Sequence, residues 1–233
     1  PGGAAGTYAG IEISMPPGWK TYWRTPGEAG GIPPEFDFSG SENLAKATVL
    51  YPAPKKLADK AGITFGYKEH VVFPVAIVPK DRKSPVHLKL KAAYGVCKEL
   101  CVPAEAELAV TIAPEPSDSE TLAAALAHVP AIKPAPAKDP VLQSVERTEA
   151  SGKPILRIVA HDDDAARIDA FADSPDGVFL PVPKKVSSTA KAAIFDIDLS
   201  DGLDVDDLEG KSIAITLTGA KGQSETLVPF PHK

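Results

Sequence analysis

Cysteine is almost absent from this chain: two residues in 233, Cys97 and Cys101. So low a count excludes a disulfide-dense scaffold, in which small secreted domains are held by several bridges. One such pair fits an oxidising compartment without requiring one. Methionine is rarer, with Met15 alone. A copper-handling protein is the lesser reading, with Cys97, Cys101, Met15 and His70 as soft or borderline ligands but no Met or His cluster beside them. Basic residues are not in excess, since 25 Lys and Arg face 31 Asp and Glu for a net charge of −6. That argues against a nucleic-acid partner, which usually requires a basic patch. No apolar run approaches the roughly 18 residues of a membrane-spanning helix. There is also no initiating Met and no signal peptide. A start at Pro1 is expected of a secreted protein whose leader is gone, or of an excised soluble fragment.

Proline is plentiful, at 24 residues, which favours turns and short strands over long helices. The length suits one large or two modest domains. The first half reads as strands with period-two alternation: residues 7–15, 19–23, 35–38, 45–51 and 67–78, the last interrupted by Pro74. Proline inside a strand belongs to an edge or a bulge. The segments 26–34 and 52–66 read as loops. Trp19 and Trp23 could stack a ligand, or pack in a core.

The two cysteines sit where a hairpin should turn. His87-Leu88-Lys89-Leu90-Lys91 alternates as a half-buried strand, and Glu105 to Ile112 reads as its mate. Only Lys98, Glu99 and Leu100 separate the cysteines, a loop length that suits a hairpin although no Gly occupies the usual left-handed position. Cys97 and Cys101 would then face each other. Opposed residues of a non-hydrogen-bonded pair have Cβ atoms about 4.5–5.5 Å apart, and a disulfide wants about 3.5–4.5 Å. A small adjustment closes the bond, so a reversible dithiol/disulfide is feasible.

Three readings of the pair stand open. A structural bridge is weakly motivated, because closing a five-residue loop contributes only about 2 kcal/mol in the chain-entropy model. A metal site lacks half its shell, with no His-x₃₋₅-His pair to complete it. A redox-active pair remains. Lys98 would favour a thiolate and Glu99 oppose it. His70 is a candidate base for the cysteines, or simply a surface strand residue.

The run from Gly18 to Gly30, the strand Tyr67 to Pro74 and the hairpin Tyr94-Gly95-Val96-Cys97 to Cys101-Val102-Pro103 occur in that order. Together they resemble the N-terminal periplasmic domain of the DsbD family of thiol:disulfide interchange proteins, and its ScsB-like branch more closely, over roughly residues 7–113. The resemblance implies an immunoglobulin-like β-sandwich. Such a domain takes electrons from a membrane-embedded DsbD/ScsB-type transmembrane domain, of the same or a separate chain, and passes them to periplasmic thioredoxin-fold proteins. It uses no cofactor. Cys97 and Cys101 match the active pair, with Cys101 forming the mixed disulfide and Cys97 resolving it. A cap loop falls before Tyr67, at Ile63, Thr64 and Phe65, which makes Phe65, Tyr67 and Tyr94 candidates for capping or partner contact. The spacing of the cysteines is shorter than in DsbD itself, and no acidic cap-loop pair is visible.

Beyond the hairpin, Ser117-Asp118-Ser119-Glu120 reads as a capping box before a short helix over 121–128, stopped by Pro130. Pro130, Pro134, Pro136 and Pro140 suggest a semi-rigid linker. The second half reads as strands at 141–148, 155–160, 168–171, 177–182, 192–199, 212–218 and 225–229, punctuated by turns such as Asp201-Gly202. This pattern suggests a second sandwich. Asp162 to Asp164, and Asp204 to Glu209, could bind calcium or simply be solvated turns. The expected organisation is all-β: two immunoglobulin-like sandwiches over 1–116 and 141–233, joined by helix and linker over 117–140. The expected activity is periplasmic thiol–disulfide exchange. The rival is a non-catalytic tandem-sandwich binding or assembly module with a structural disulfide.

Overall fold

The computed structural model describes residues 7–60, 62–114, 119–200 and 202–232. It divides into two compact units between Val129 and Pro130. The first unit holds strands β1 (Thr7–Ser14), β2 (Lys20–Gly27), β3 (Glu35–Asp37), β4 (Leu44–Val49), β5 (Lys55–Asp59), β6 (Gly62–Lys68), β7 (His70–Pro79), β8 (Val86–Cys97) and β9 (Cys101–Ile112), followed by helix α1 (Glu120–Ala127). Three strands form one sheet in the order β1-β7-β4. The other runs β3-β8-β2-β6-β5, with β9 paired to β8. All pairings are antiparallel. The unit is all-β, as the strand pattern predicts, and forms the immunoglobulin-like sandwich that the resemblance implies.

The alternation along β8 shows why these residues form this layer. Val86, Leu88, Leu90 and Ala92 are buried, while His87, Lys89 and Lys91 between them are exposed. Strand β7 differs, because Val71, Val72, Phe73 and Val75 are all buried. One face packs into the sandwich, and α1 covers β7 from the other side. Phe73 anchors the core, with the rings of Phe36, Tyr51 and Tyr67 at centroid distances of 5.5, 5.3 and 5.4 Å.

Several expectations need correction. Residues 52–66 are not one loop, since β5 and β6 form a hairpin there. The loop after Trp23 begins later than expected, because β2 runs on to Gly27. Pro74 sits in a central strand, not an edge. Its carbonyl accepts from Leu50 N at 2.7 Å, so its missing N–H points to the β4 side, where pairing has ended at Val49. The helix N-cap is Ser119, whose side chain accepts from Leu122 N. Ser117 and Asp118 lie outside the described residues. The helix belongs to the first sandwich and is not a free connector: Leu122 approaches Gly10 of β1, where a Cβ would lie 3.8 Å from it.

The second unit holds β10 (Val141–Ala150), β11 (Lys153–His161), β12 (Asp169–Asp173), β13 (Lys184–Ser188), β14 (Ala192–Asp198), β15 (Ser212–Thr218) and β16 (Gln223–Pro229). Its sheets are β10-β11-β14-β13 and β12-β15-β16. Between them Leu156, Ile158, Phe195, Ile197, Ile213 and Ile215 are fully buried. The strand expected over 177–182 is absent. Leu180 and Val182 enter the core, but Pro181 and Pro183 beside them have no N–H to donate to a ladder. The proline-rich stretch is not a spacer either. Ala131 bridges to Ser224, and Ser224 Oγ donates to Pro140 O at 2.5 Å. Asp201 lies outside the described residues.

Candidate functional site

The β8–β9 ladder runs without a slip from Val86↔Ile112 to Cys97↔Cys101. Its phase follows from the hydrogen bonds that β8 makes on its other side. Gly95 N donates to Ile32 O at 3.0 Å, and His87 exchanges bonds with Glu42. Odd-numbered β8 residues therefore point away from β9, and Cys97↔Cys101 is a non-hydrogen-bonded pair. Such pairs approach most closely, with Cα atoms about 4.5 Å apart. Here the separation is 4.1 Å, and the two cysteines are joined as a disulfide. The tip closes with Lys98 N donating to Leu100 O at 3.3 Å. Among the described residues, none of Lys98, Glu99 and Leu100 has a positive φ, so the tip requires no glycine.

The two sulfur-bearing residues have unequal surroundings. Cys97 is only 1% exposed, whereas Cys101 is exposed. Leu100 beside it is 76% exposed and Val102 43%. The bridge is thus buried on one side and open, with an apolar rim, on the other.

Strand β2 delivers the group that touches both sulfurs. Lys20 lies opposite Cys97 and Thr21 opposite Val96, and Thr21 Oγ1 donates to Gly95 O at 2.8 Å. This register brings the Tyr22 hydroxyl 2.8 Å from Cys97 Sγ and 2.9 Å from Cys101 Sγ. Disulfide sulfurs carry no proton, so the tyrosine donates. Burial, and secondarily the Asp59 carboxylate, push the Tyr22 hydroxyl above its ordinary pKa, which keeps the proton on that oxygen.

The Tyr22 ring is itself covered. Gly31 lies against its outer edge, so closely that a Cβ there would overlap the ring. Gly31 has φ +147°, a region that glycine enters at little cost. A Cβ on Gly95 would come 3.0 Å from both Tyr22 and Ile32. The loop 28–34 and two bare glycine positions thus clamp the ring whose hydroxyl meets the sulfurs. Sequence reasoning missed Tyr22. Its aromatic strand was visible, but the β2–β8 register that aims it was not.

The other candidates lie elsewhere. Phe65 is buried in β6, edge-on to Trp23 at 6.2 Å. Trp23 is a core residue with the Arg24 guanidinium 4.1 Å above its ring, not a stacking platform. Tyr67 is in the core, donating to Pro52 O at 2.7 Å, and its desolvation raises its pKa well above 10. Tyr94 is half-buried on β8 opposite Ala104. His70 faces Glu12 at 2.9 Å. Among the described residues, no group of three or more His, Cys, Asp or Glu side chains is arranged to hold a metal ion. No helix among them is long and apolar enough to cross a membrane.

An isolated cysteine pair at the hairpin tip of an immunoglobulin-like sandwich, one residue buried and the other exposed, has the geometry that thiol–disulfide exchange requires. Residues 4–113 match the family model described as thiol:disulfide interchange protein DsbD, N-terminal. The fold resembles the crystal structure of the N-terminal periplasmic domain of ScsB from Proteus mirabilis, with a TM-score of 0.71 and 20% identity. The likeness covers 97% of this chain and 88% of that one. A comparison with curated proteins found no match.

Proposed function

We propose that this chain is a periplasmic protein-disulfide reductase module that works through Cys97 and Cys101. In the reduced form the Cys101 thiolate attacks a partner disulfide. One partner sulfur leaves as a thiolate, and a Cys101–partner mixed disulfide forms. The Cys97 thiolate then attacks Cys101 Sγ, the second partner sulfur leaves, and the Cys97–Cys101 bond is restored. Two electrons pass to the partner and no cofactor is needed. The electrons are returned by the same steps in reverse from a membrane-embedded DsbD/ScsB-type domain. The recipients are periplasmic thioredoxin-fold proteins. The single observation that carries this reading is the asymmetry of exposure: Cys97 at 1% and Cys101 open to solvent.

Tyr22 and the loop 28–34 take the shielding role in this scheme. Phe65 and Tyr67 are core residues of the scaffold and take no direct part, and Tyr94 borders the partner surface. A purely structural bridge is disfavoured, since so small a loop contributes only about 2 kcal/mol. The test is to trap the intermediate. Cys97→Ser accumulates a mixed disulfide with an oxidised thioredoxin-fold partner, and Cys101→Ser forms none and passes no electrons while staying folded. Normal reduction of the partner by Cys101→Ser would overturn the assignment.

A further inference from the structure

The active cysteine opens a free sheet edge. Strand β9 runs twelve residues, Cys101–Ile112, and pairs only with β8 among the described residues. The ladder phase fixes which of its backbone groups face outward. Odd-numbered β8 residues bond away from β9, so their partners Cys101, Pro103, Glu105, Glu107, Ala109 and Thr111 direct their N–H and C=O groups to the open edge. The one missing donor is Pro103, at a position where the β8 ladder does not need it. A long unpaired edge is a template for another strand.

The side chains say which strand fits. Cys101, Glu105 and Glu107 share one face of β9, because residues two apart point the same way. Beyond β8 on the same sheet, Glu35 and Asp37 of β3 lie in the rows of Ala93 and Lys91, which are also the rows of Glu105 and Glu107. These four carboxylates surround Lys91 and line an open groove of about 500 Å³. A second copy of β9 is a poor occupant. Antiparallel pairing of two such strands crowds their glutamates together, and like charges directly opposite are destabilising.

We propose that β9 docks an extended, cysteine-bearing segment of a redox partner as an added antiparallel strand, with basic residues four and six positions before its cysteine. Such a partner is distinct from the thioredoxin-fold recipients, whose reactive cysteine begins a helix. The inference rests on the exchange reading above. Antiparallel register from a cysteine opposite Cys101 sets those residues against Glu105 and Glu107. It also aligns the chemistry. Cys97, Cys101 and the partner cysteine then occupy one row across three strands, roughly 4.8 Å apart from strand to strand. The partner thiolate approaches Cys101 Sγ from one side while Cys97 Sγ leaves from the other. The bond broken is Cys97–Cys101, the bond formed is partner–Cys101, and the electron pair departs on Cys97 as a thiolate. Exchange is a change of cross-strand neighbour.

The test compares thiol–disulfide exchange rates of the oxidised full chain with two reduced probes, glutathione and the peptide Lys-Thr-Lys-Thr-Ile-Thr-Cys. The peptide-to-glutathione rate ratio falls about tenfold in Glu105→Pro, as one or two backbone hydrogen bonds are lost. It falls similarly when the amide of the peptide's second lysine is N-methylated, a probe that leaves the protein intact. Glu105→Lys with Glu107→Lys transfers the preference to a peptide with Glu in place of both lysines. A ratio indifferent to these changes overturns the proposal, as does a concentration-dependent dimer abolished by Glu105→Pro. If neither glutathione nor peptide opens the bridge, the exchange reading itself fails, and the proposal falls with it.

Discussion

Tyr22 reaches Cys97 across 75 residues of sequence and donates its phenolic hydrogen to that sulfur at 2.8 Å. In the disulfide this is a bond to a weak acceptor. On reduction it faces a thiolate, and hydrogen bonds to charged groups are worth about 1.5–3 kcal/mol. A partner that stabilises the charged form lowers a pKa. Tyr22→Phe should therefore raise the lower of the two thiol pKa values by about one unit. Thiolate absorbance of the reduced protein, titrated against pH, checks this. An unchanged titration would show that Tyr22 only fills space.

The clamp on Tyr22 predicts a kinetic effect. Gly31 carries φ +147° and abuts the ring, so Gly31→Ala both strains the backbone, by about 1–3 kcal/mol, and pushes the loop 28–34 or the ring aside. The disulfide should then be reduced faster by dithiothreitol, with a lower melting temperature. Melting that falls without faster reduction would separate the loop from any shielding role.

Unequal exposure of the sulfurs predicts unequal alkylation. In the reduced protein, iodoacetamide should label Cys101 well before Cys97, as peptide mass spectrometry of a time course would show. Equal labelling would contradict the division of labour between the two residues.

Tyr67 gives a pH prediction. Its folded pKa is raised well above 10, first by desolvation, so the folded state holds the proton more tightly than the unfolded chain. The stability this contributes is fully present below about pH 10 and is lost as pH rises toward the folded value. Across that window Tyr67 alone steepens the decline by about 1.4 kcal/mol per pH unit. Urea unfolding at several alkaline pH values should show a shallower slope for Tyr67→Phe.

The sequence carried the hairpin because its signals are local: alternation along 87–91, a three-residue gap and the only two cysteines. It carried the second sandwich in the same way, through Ser212–Thr218 and its neighbours. Strands with little to bury left no such trace. Lys55–Asp59 buries only Leu57, and Lys184–Ser188 is exposed throughout, so neither shows a period. Register between distant strands was the other blind spot. Nothing near Tyr22 in the chain reveals that Thr21 pairs with Val96. That one pairing aims the tyrosine hydroxyl at the sulfurs, and it makes Tyr22 rather than Phe65 the ring in contact with them.

The equilibrium reduction potential of the Cys97–Cys101 bridge, titrated against glutathione or dithiothreitol, tests the central claim most directly. The account predicts a value between about −180 and −270 mV, within the range of exchange-active proteins. A value below about −300 mV is that of a structural bridge, and would leave the hairpin as a staple in a tandem-sandwich binding module.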